Sequence, residues 1–92
     1  MTAADGRPLL PPEDLVNNLG FFVMGKKQFQ KAEDMFTMNI KNYPSSFVAY
    51  GYLGDLYSAK GDKERAIASY KKSLSFKETE EVRKKLENLE GK

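Results

Sequence analysis

The sequence contains no cysteine and no histidine in its 92 residues. Without cysteine the chain forms no disulfide framework and carries no thiol for nucleophilic chemistry. Without histidine it lacks the commonest metal ligand and the commonest acid–base residue near neutral pH. We also find no nucleophile–base pair, metal-ligand cluster or cofactor loop. We therefore expect no catalytic residue, no cofactor and no metal, and the chain is not predicted to be an enzyme.

Long hydrophobic runs and an excess of charge of one sign are also lacking. The longest apolar run, Phe21 to Met24, is far too short to span a bilayer. The amino terminus shows no basic stretch followed by an apolar one, so no signal peptide is visible. The 15 basic and 13 acidic residues give a formal net charge of +2. We therefore expect a soluble chain that binds neither nucleic acid nor a membrane, in a compartment that the composition leaves open.

What the sequence does contain is a repeat of 34 residues, the offset between Leu19 and Leu53. The dipeptide Leu19-Gly20 returns as Leu53-Gly54 at that offset. Small or apolar residues return with it, whereas the polar residues between them do not: Val16 and Tyr50, Val23 and Tyr57, Ala32 and Ala66, Phe36 and Tyr70, Ile40 and Leu74. A fixed period that retains only apolar and small residues is typical of stacked repeat proteins.

Apolar residues at helical spacing predict five helices. The residues between them support these boundaries, since Pro44 cannot continue a helix and Ser45 can cap the next one. Gly61 is a helix stop, Asp62 is a candidate N-cap for the fourth helix, and Thr79 is one for the fifth. The predicted helices cover about residues 12–24, 29–42, 47–60, 63–76 and 80–90.

The repeated residues resemble the signature of the tetratricopeptide repeat, a helix–turn–helix unit of this period. They are Val16, Leu19, Gly20, Val23, Ala32, Phe36 and Pro44 in the first copy, and Tyr50, Leu53, Gly54, Tyr57, Gly61, Ala66 and Tyr70 in the second. The sequence departs from the family where valines replace expected aromatics and where Gly25 stands two residues early in its turn compared with Gly61. The resemblance implies an all-α fold, in which antiparallel helix hairpins stack as a short right-handed α–α superhelix.

The resemblance also implies how the chain is divided. A flexible tail or linker is expected over residues 1–11, followed by a tetratricopeptide-like domain over residues 12–90. Within the domain, repeats are expected at about 13–46 and 47–78, with a capping helix at about 79–90. Within each repeat a glycine allows two helices to approach closely, so we expect Gly20 to face Ala32 and Gly54 to face Ala66.

In such arrays the first helix of each repeat lines a concave surface, and the resemblance therefore implies a binding site there. The expected partner-binding residues are those that point away from the second helix of each repeat: Asn17, Phe21, Met24, Val48, Tyr52 and Asp55. Some relatives bind a terminal carboxylate through Lys, Arg and Asn, but only Asn17 fits that pattern here. A groove for an extended or helical peptide with apolar anchors fits better.

Two interpretations of function follow. The first is a protein–protein interaction module that binds a peptide or a partner surface in the concave groove. The second is a structural or self-associating C-terminal appendage of a larger bacterial protein, such as an esterase-like hydrolase. In the second case the groove is covered by another part of the same protein or by a second copy, because so many apolar side chains are unfavourable on a free surface.

Overall fold

The computed structural model describes residues 11–91, so the predicted tail lies outside the described residues except for Pro11. Five α-helices follow one another and no strand occurs within residues 11–91, which confirms the all-α prediction. Four helices have the predicted bounds, and the first is displaced by one residue at each end. The helices are α1 (Glu13–Gly25), α2 (Phe29–Asn42), α3 (Phe47–Lys60), α4 (Lys63–Phe76) and α5 (Glu80–Glu90).

Each helix packs against the next one along the chain. The pairs α1–α2 and α3–α4 form the two predicted hairpins, and α2 packs against α3 to join them. Helix α1 also contacts α3, so the first helices of the two hairpins lie beside each other. This stacking of adjacent hairpins is the arrangement expected of a tetratricopeptide-like α–α fold.

Two of the three predicted helix caps differ in detail from the structure. The N-cap of α3 is Ser46 rather than Ser45, and its Oγ accepts a hydrogen bond of 3.1 Å from the backbone N–H of Ala49. Asp62 caps α4 as predicted, since its carboxylate accepts from the backbone N–H of Arg65. Thr79 occupies the N-cap position of α5, but its side chain makes no capping hydrogen bond.

The turn between α1 and α2 retains the geometry of the later turn without its glycine. Gly61 ends α3 in the left-handed region at φ 83°. Its equivalent one repeat earlier is Lys27, which adopts φ 63°. The early position of Gly25 therefore does not displace the turn, because Gly25 is simply the last residue of α1. The first turn instead holds Lys27 in the left-handed conformation, which is unfavourable for any residue that has a Cβ.

The glycine in each hairpin faces an aromatic ring, and the expectation that it faces alanine is wrong. A Cβ added to Gly54 would lie 2.5 Å from Cδ1 and Cε1 of Tyr70, and a Cβ added to Gly20 would lie 2.5 Å from Cε1 of Phe36. Both rings are almost fully buried. Helix pairs therefore approach closely because a flat ring on the second helix occupies the space that a side chain on the first would need.

A buried polar contact recurs in both hairpins with different residues. In the first, Asn39 donates from Nδ2 to the backbone carbonyl of Glu13, at 3.0 Å, and to Oδ1 of Asn17, at 2.8 Å. In the second, the hydroxyl of Ser73 donates to the backbone carbonyl of Phe47 at 2.7 Å. In each hairpin, the bond to a backbone carbonyl ties the second helix to the first residue of the first helix.

Helix α5 completes the core at the C-terminal end. Val82 and Leu86 are buried and belong to the same apolar cluster as Leu53, Leu56 and residues of α2 and α4. Helix α5 packs on α4 much as α3 packs on α2. It therefore occupies the position that the first helix of a third repeat would take, and its role as a cap stays a prediction.

Candidate binding groove

The six predicted partner-binding residues differ in burial and do not all lie on one surface. The prediction for Asn17 is wrong, because its side chain is only 2% exposed and accepts a hydrogen bond from Asn39 between α1 and α2. Phe21 is exposed, whereas Met24 is half-buried and packs against the apolar core. The remaining three residues are half-buried and line one cavity: Val48, Tyr52 and Asp55.

That cavity lies between α3 and α5 and has a volume of about 210 Å³. Apolar groups form most of its walls. Phe47, Val48 and Tyr52 contribute from α3, and Val82 contributes from α5. Pockets for drug-sized ligands usually span about 300–1,000 Å³, so this cavity is the size of a site for an anchoring side chain. We refer to it as the α3–α5 cavity.

An aromatic contact extends the surface from the α3–α5 cavity to α1. The rings of Phe21 and Tyr52 lie with centroids 5.5 Å apart and planes inclined by 34°. Tyr52 also lies against the buried ring of Phe36, with centroids 5.7 Å apart. The core therefore fixes the position of Tyr52, while Phe21 offers an exposed apolar face beside it. We call the continuous surface of Phe21, Tyr52 and the α3–α5 cavity the binding groove.

The end of the α3–α5 cavity nearest the C-terminus of α3 is polar. Lys85 Nζ lies 3.1 Å from both carboxylate oxygens of Asp55 and bridges α5 to α3. The hydroxyl of Tyr70 donates a hydrogen bond to the same carboxylate. Burial and the adjacent Asp55 carboxylate raise the pKa of Tyr70, because both disfavour the phenolate. Tyr70 therefore remains a neutral hydrogen-bond donor at physiological pH.

The groove also contains residues of α5 that the sequence reasoning missed. Lys85 and Glu81 lie one helical turn apart, with Nζ and Oε1 separated by 3.5 Å, and both line the cavity with Thr79 and Val82. The sequence analysis assigns α5 only the role of a cap. A signal was present, because the 34-residue offset places Val82 at the position of Val48. The period of apolar residues therefore continues into α5 even though its Leu-Gly signature is lost.

The groove offers an apolar surface for packing and three charged side chains at its rim, Asp55, Glu81 and Lys85. Among residues 11–91 no group of three or more His, Cys, Asp or Glu side chains is placed to hold a metal ion. At the rim Lys85 lies within 4 Å of both the Asp55 and the Glu81 carboxylates, so the charged groups are paired there and the remaining walls are mainly apolar. Such a site can hold an apolar side chain and can exchange hydrogen bonds with a backbone at its rim. None of the helices within residues 11–91 is long and apolar enough to cross a membrane.

The α3–α4 hairpin matches a known protein family. Residues 48–80 match the family model described as tetratricopeptide repeat, over α3, α4 and the start of α5. No curated protein matches the chain. The matched segment contains the glycine and aromatic pair, the left-handed turn and the capped fourth helix described above. The family match and the five-helix fold together fit a tetratricopeptide-like repeat domain, a class of domain that generally mediates interactions between proteins.

Proposed function

We propose that the chain is a protein-interaction module whose binding groove receives a peptide segment of a partner protein. The α3–α5 cavity supports this proposal most directly. It is open to solvent, lined mainly by apolar groups, and sized for one anchoring side chain. An apolar residue of the peptide enters this cavity, and a second apolar residue lies on the exposed face of Phe21.

The charged rim gives the groove a direction. The Asp55–Lys85 ion pair lies at one end of the cavity, and Phe21 lies on the neighbouring helix α1. A peptide that crosses α1, α3 and α5 therefore meets an aromatic surface first and an ion pair last. Because Asp55 is held by Lys85 and by Tyr70, its carboxylate can accept a further hydrogen bond without rearrangement.

A matched pair of substitutions tests the groove. Val48 lines the cavity and is not part of the central apolar cluster, so Val48→Glu fills the cavity with charge while leaving the core intact. Ala68 is exposed on α4, and Ala68→Glu is the control. Peptides selected from a random display library on the unsubstituted chain should bind Val48→Glu at least about tenfold more weakly, because an apolar anchor in the cavity would desolvate the new carboxylate. A tenfold loss corresponds to about 1.4 kcal/mol. They should bind Ala68→Glu unchanged.

Two results would contradict the proposal. One is a selected peptide that binds both variants equally, which would locate its site away from the cavity. The other is a library of this kind that yields no binder whose resonances shift at Tyr52 and Val82 in an NMR titration. The alternative interpretation, an appendage of a larger bacterial protein, stays a prediction that the geometry of the groove does not test.

A further inference from the structure

The two carboxylates at the rim of the α3–α5 cavity are held to different degrees. Lys85 Nζ lies 3.1 Å from both carboxylate oxygens of Asp55 and donates a hydrogen bond to each, whereas it lies 3.5 Å from Oε1 of Glu81. The side chain of Asp55 is 18% exposed and that of Glu81 is 79% exposed. Lys85 therefore pairs more closely with Asp55, and the Glu81 oxygens keep most of their capacity to accept hydrogen bonds.

Glu81 stands directly beside the apolar part of the cavity. It precedes Val82, whose side chain lines the cavity together with Val48 and Tyr52. An extended peptide advances about 3.3 Å per residue, so residues one or two positions from an anchor in this cavity lie about 3–7 Å from it. A long side chain at one of those positions can therefore reach the Glu81 carboxylate.

Helix α1 adds a further carboxylate on its groove side. Asp14 and Phe21 are spaced at i and i+7, so they lie on the same side of α1. Asp14 is exposed, and the 34-residue offset places it at the position of Val48. Within residues 11–91, the charged side chains along this surface are thus three carboxylates and one ammonium: Asp14, Asp55, Glu81 and Lys85. This excess of negative charge contrasts with the formal net charge of +2 of the chain.

Two lysines near the groove do not reverse this excess. Lys26 is turned to another side of α1, where its Nζ lies 5.5 Å from the centroid of the Phe22 ring. Lys77 makes a cation–π contact with Phe47, with Nζ 5.1 Å from the ring centroid, and is not among the residues that line the cavity. With Lys77 included, three carboxylates still face two ammonium groups.

We propose that the peptide held in the groove carries a lysine or arginine within two positions of its apolar anchor, and that Glu81 selects it. This inference rests on the proposed function and names the chemistry of its ligand. The cationic group donates a charge-assisted hydrogen bond to Glu81. An acidic residue in the same place would meet the carboxylates of both Asp55 and Glu81, and this repulsion rejects it.

The sequences of selected peptides give the first readout. Peptides from a random display library that bind the unsubstituted chain and lose affinity for Val48→Glu occupy the cavity. Among these peptides, lysine and arginine should be enriched over the starting library within two positions of the apolar anchor. Aspartate and glutamate should be depleted at the same positions, because like charges across an interface are unfavourable.

A matched pair of substitutions on α5 tests Glu81 itself, with fluorescence anisotropy of a labelled peptide as the assay. Glu81→Gln should weaken binding by about threefold at about 50 mM salt and by less at about 500 mM, because salt screens an exposed ion pair. Glu80→Gln removes the same charge at the adjacent position, where Glu80 lies 3.1 Å from Lys84 and does not line the cavity. That control should leave the affinity unchanged.

A double-mutant cycle assigns the effect to one contact. When the lysine or arginine of the peptide is replaced by glutamine, Glu81→Gln should cause no further loss. Equal losses from Glu81→Gln and Glu80→Gln overturn the inference, because they would reflect the charge of the whole chain. Cavity-binding peptides without enriched lysine or arginine also overturn it, but they leave the peptide groove in place. A library in which no peptide is sensitive to Val48→Glu overturns the proposed function and this inference together.

Discussion

The close approach of α3 and α4 makes Gly54→Ala a stringent test of the fold. An added Cβ would lie 2.5 Å from two carbon atoms of the Tyr70 ring and 2.9 Å from a third. The ring has little room to move, because Tyr70 is 2% exposed and its hydroxyl is bonded to Asp55. The substitution therefore forces either the ring or the helices to shift.

Two opposing effects set the magnitude. Replacing a mid-helix glycine by alanine normally stabilises a protein by about 0.5–1 kcal/mol. Overpacking a close-packed core costs about 1–3 kcal/mol, and three contacts below 3.0 Å place Gly54→Ala at the upper end of that range. We expect a net loss of about 2 kcal/mol, which lowers the melting temperature of a domain of this size by roughly 8–16 °C.

Gly51→Ala is the matched control on the same helix. A Cβ at Gly51 would lie 3.5 Å from Cγ2 of Val82 and 3.7 Å from Oγ of Ser73, which are ordinary contacts. That variant should gain about 0.5–1 kcal/mol from helix propensity alone. Urea unfolding followed by far-ultraviolet circular dichroism measures both variants and the unsubstituted chain under one set of conditions.

The result that refutes this reasoning is a Gly54→Ala variant that is as stable as the unsubstituted chain or more so. A double-mutant cycle sharpens the test. On a Tyr70→Leu background the flat ring is gone, so the Gly54→Ala penalty should shrink by at least about 1 kcal/mol. An unchanged penalty would show that the clash with the ring is not its cause.

Four further outcomes are expected. Ala66→Leu, at a fully buried position, should lower the free energy of unfolding by about 1–3 kcal/mol, whereas Ala68→Leu on the exposed side of α4 should change it little; equal urea midpoints would contradict this. Lys27→Gly should raise the free energy of unfolding by about 0.5–1 kcal/mol, because glycine adopts positive φ without the penalty of a Cβ. A lower thermal midpoint for this variant would argue against the left-handed turn. A chain that ends at Phe76 lacks α5 and should unfold or aggregate, so a helical monomer in light scattering and circular dichroism would show that the cap is dispensable. Burial and the Asp55 carboxylate raise the pKa of Tyr70 above its ordinary value of 10.0, so the stability that this group contributes is complete below pH 10 and declines as the pH rises further. Tyr70→Phe should make that decline shallower in urea titrations at stepwise pH, and an equal slope would exclude Tyr70 as its source.

The helices could be predicted from the sequence because their signals are local. The helical spacing of apolar residues and stops such as Pro44 and Gly61 act within one or two turns of chain. Four of the five helices accordingly have the predicted bounds. The 34-residue period further predicted two helix hairpins of the same kind, because segments with the same pattern of apolar residues bury the same sides of their helices. The division of the chain into a tail and two repeats stays a prediction.

The groove could be predicted only in part. The sequence identified Val48, Tyr52 and Asp55 as neighbours on the first helix of a repeat, and the structure places all three around one cavity. It placed Asn17 on the same surface by analogy, and there the prediction was wrong. An asparagine on the edge of a helix can face solvent or a neighbouring helix, and here the amide of Asn39 decides between them.

By itself the sequence determined the number and order of the helices within residues 11–91, the bounds of four of them, and the small residues that let them approach, because these depend on spacing along one chain. Only the tertiary structure decided that aromatic rings rather than alanines pack against Gly20 and Gly54, and that α5 supplies Lys85 to the groove. It also decided that Leu19 is exposed while Leu53 is buried. Those outcomes depend on which surfaces meet. Leu19 on α1 and Leu53 on α3 occupy equivalent positions in the repeat. Helix α2 packs against the side of α3 that carries Leu53, whereas it packs against a different side of α1 and leaves Leu19 exposed.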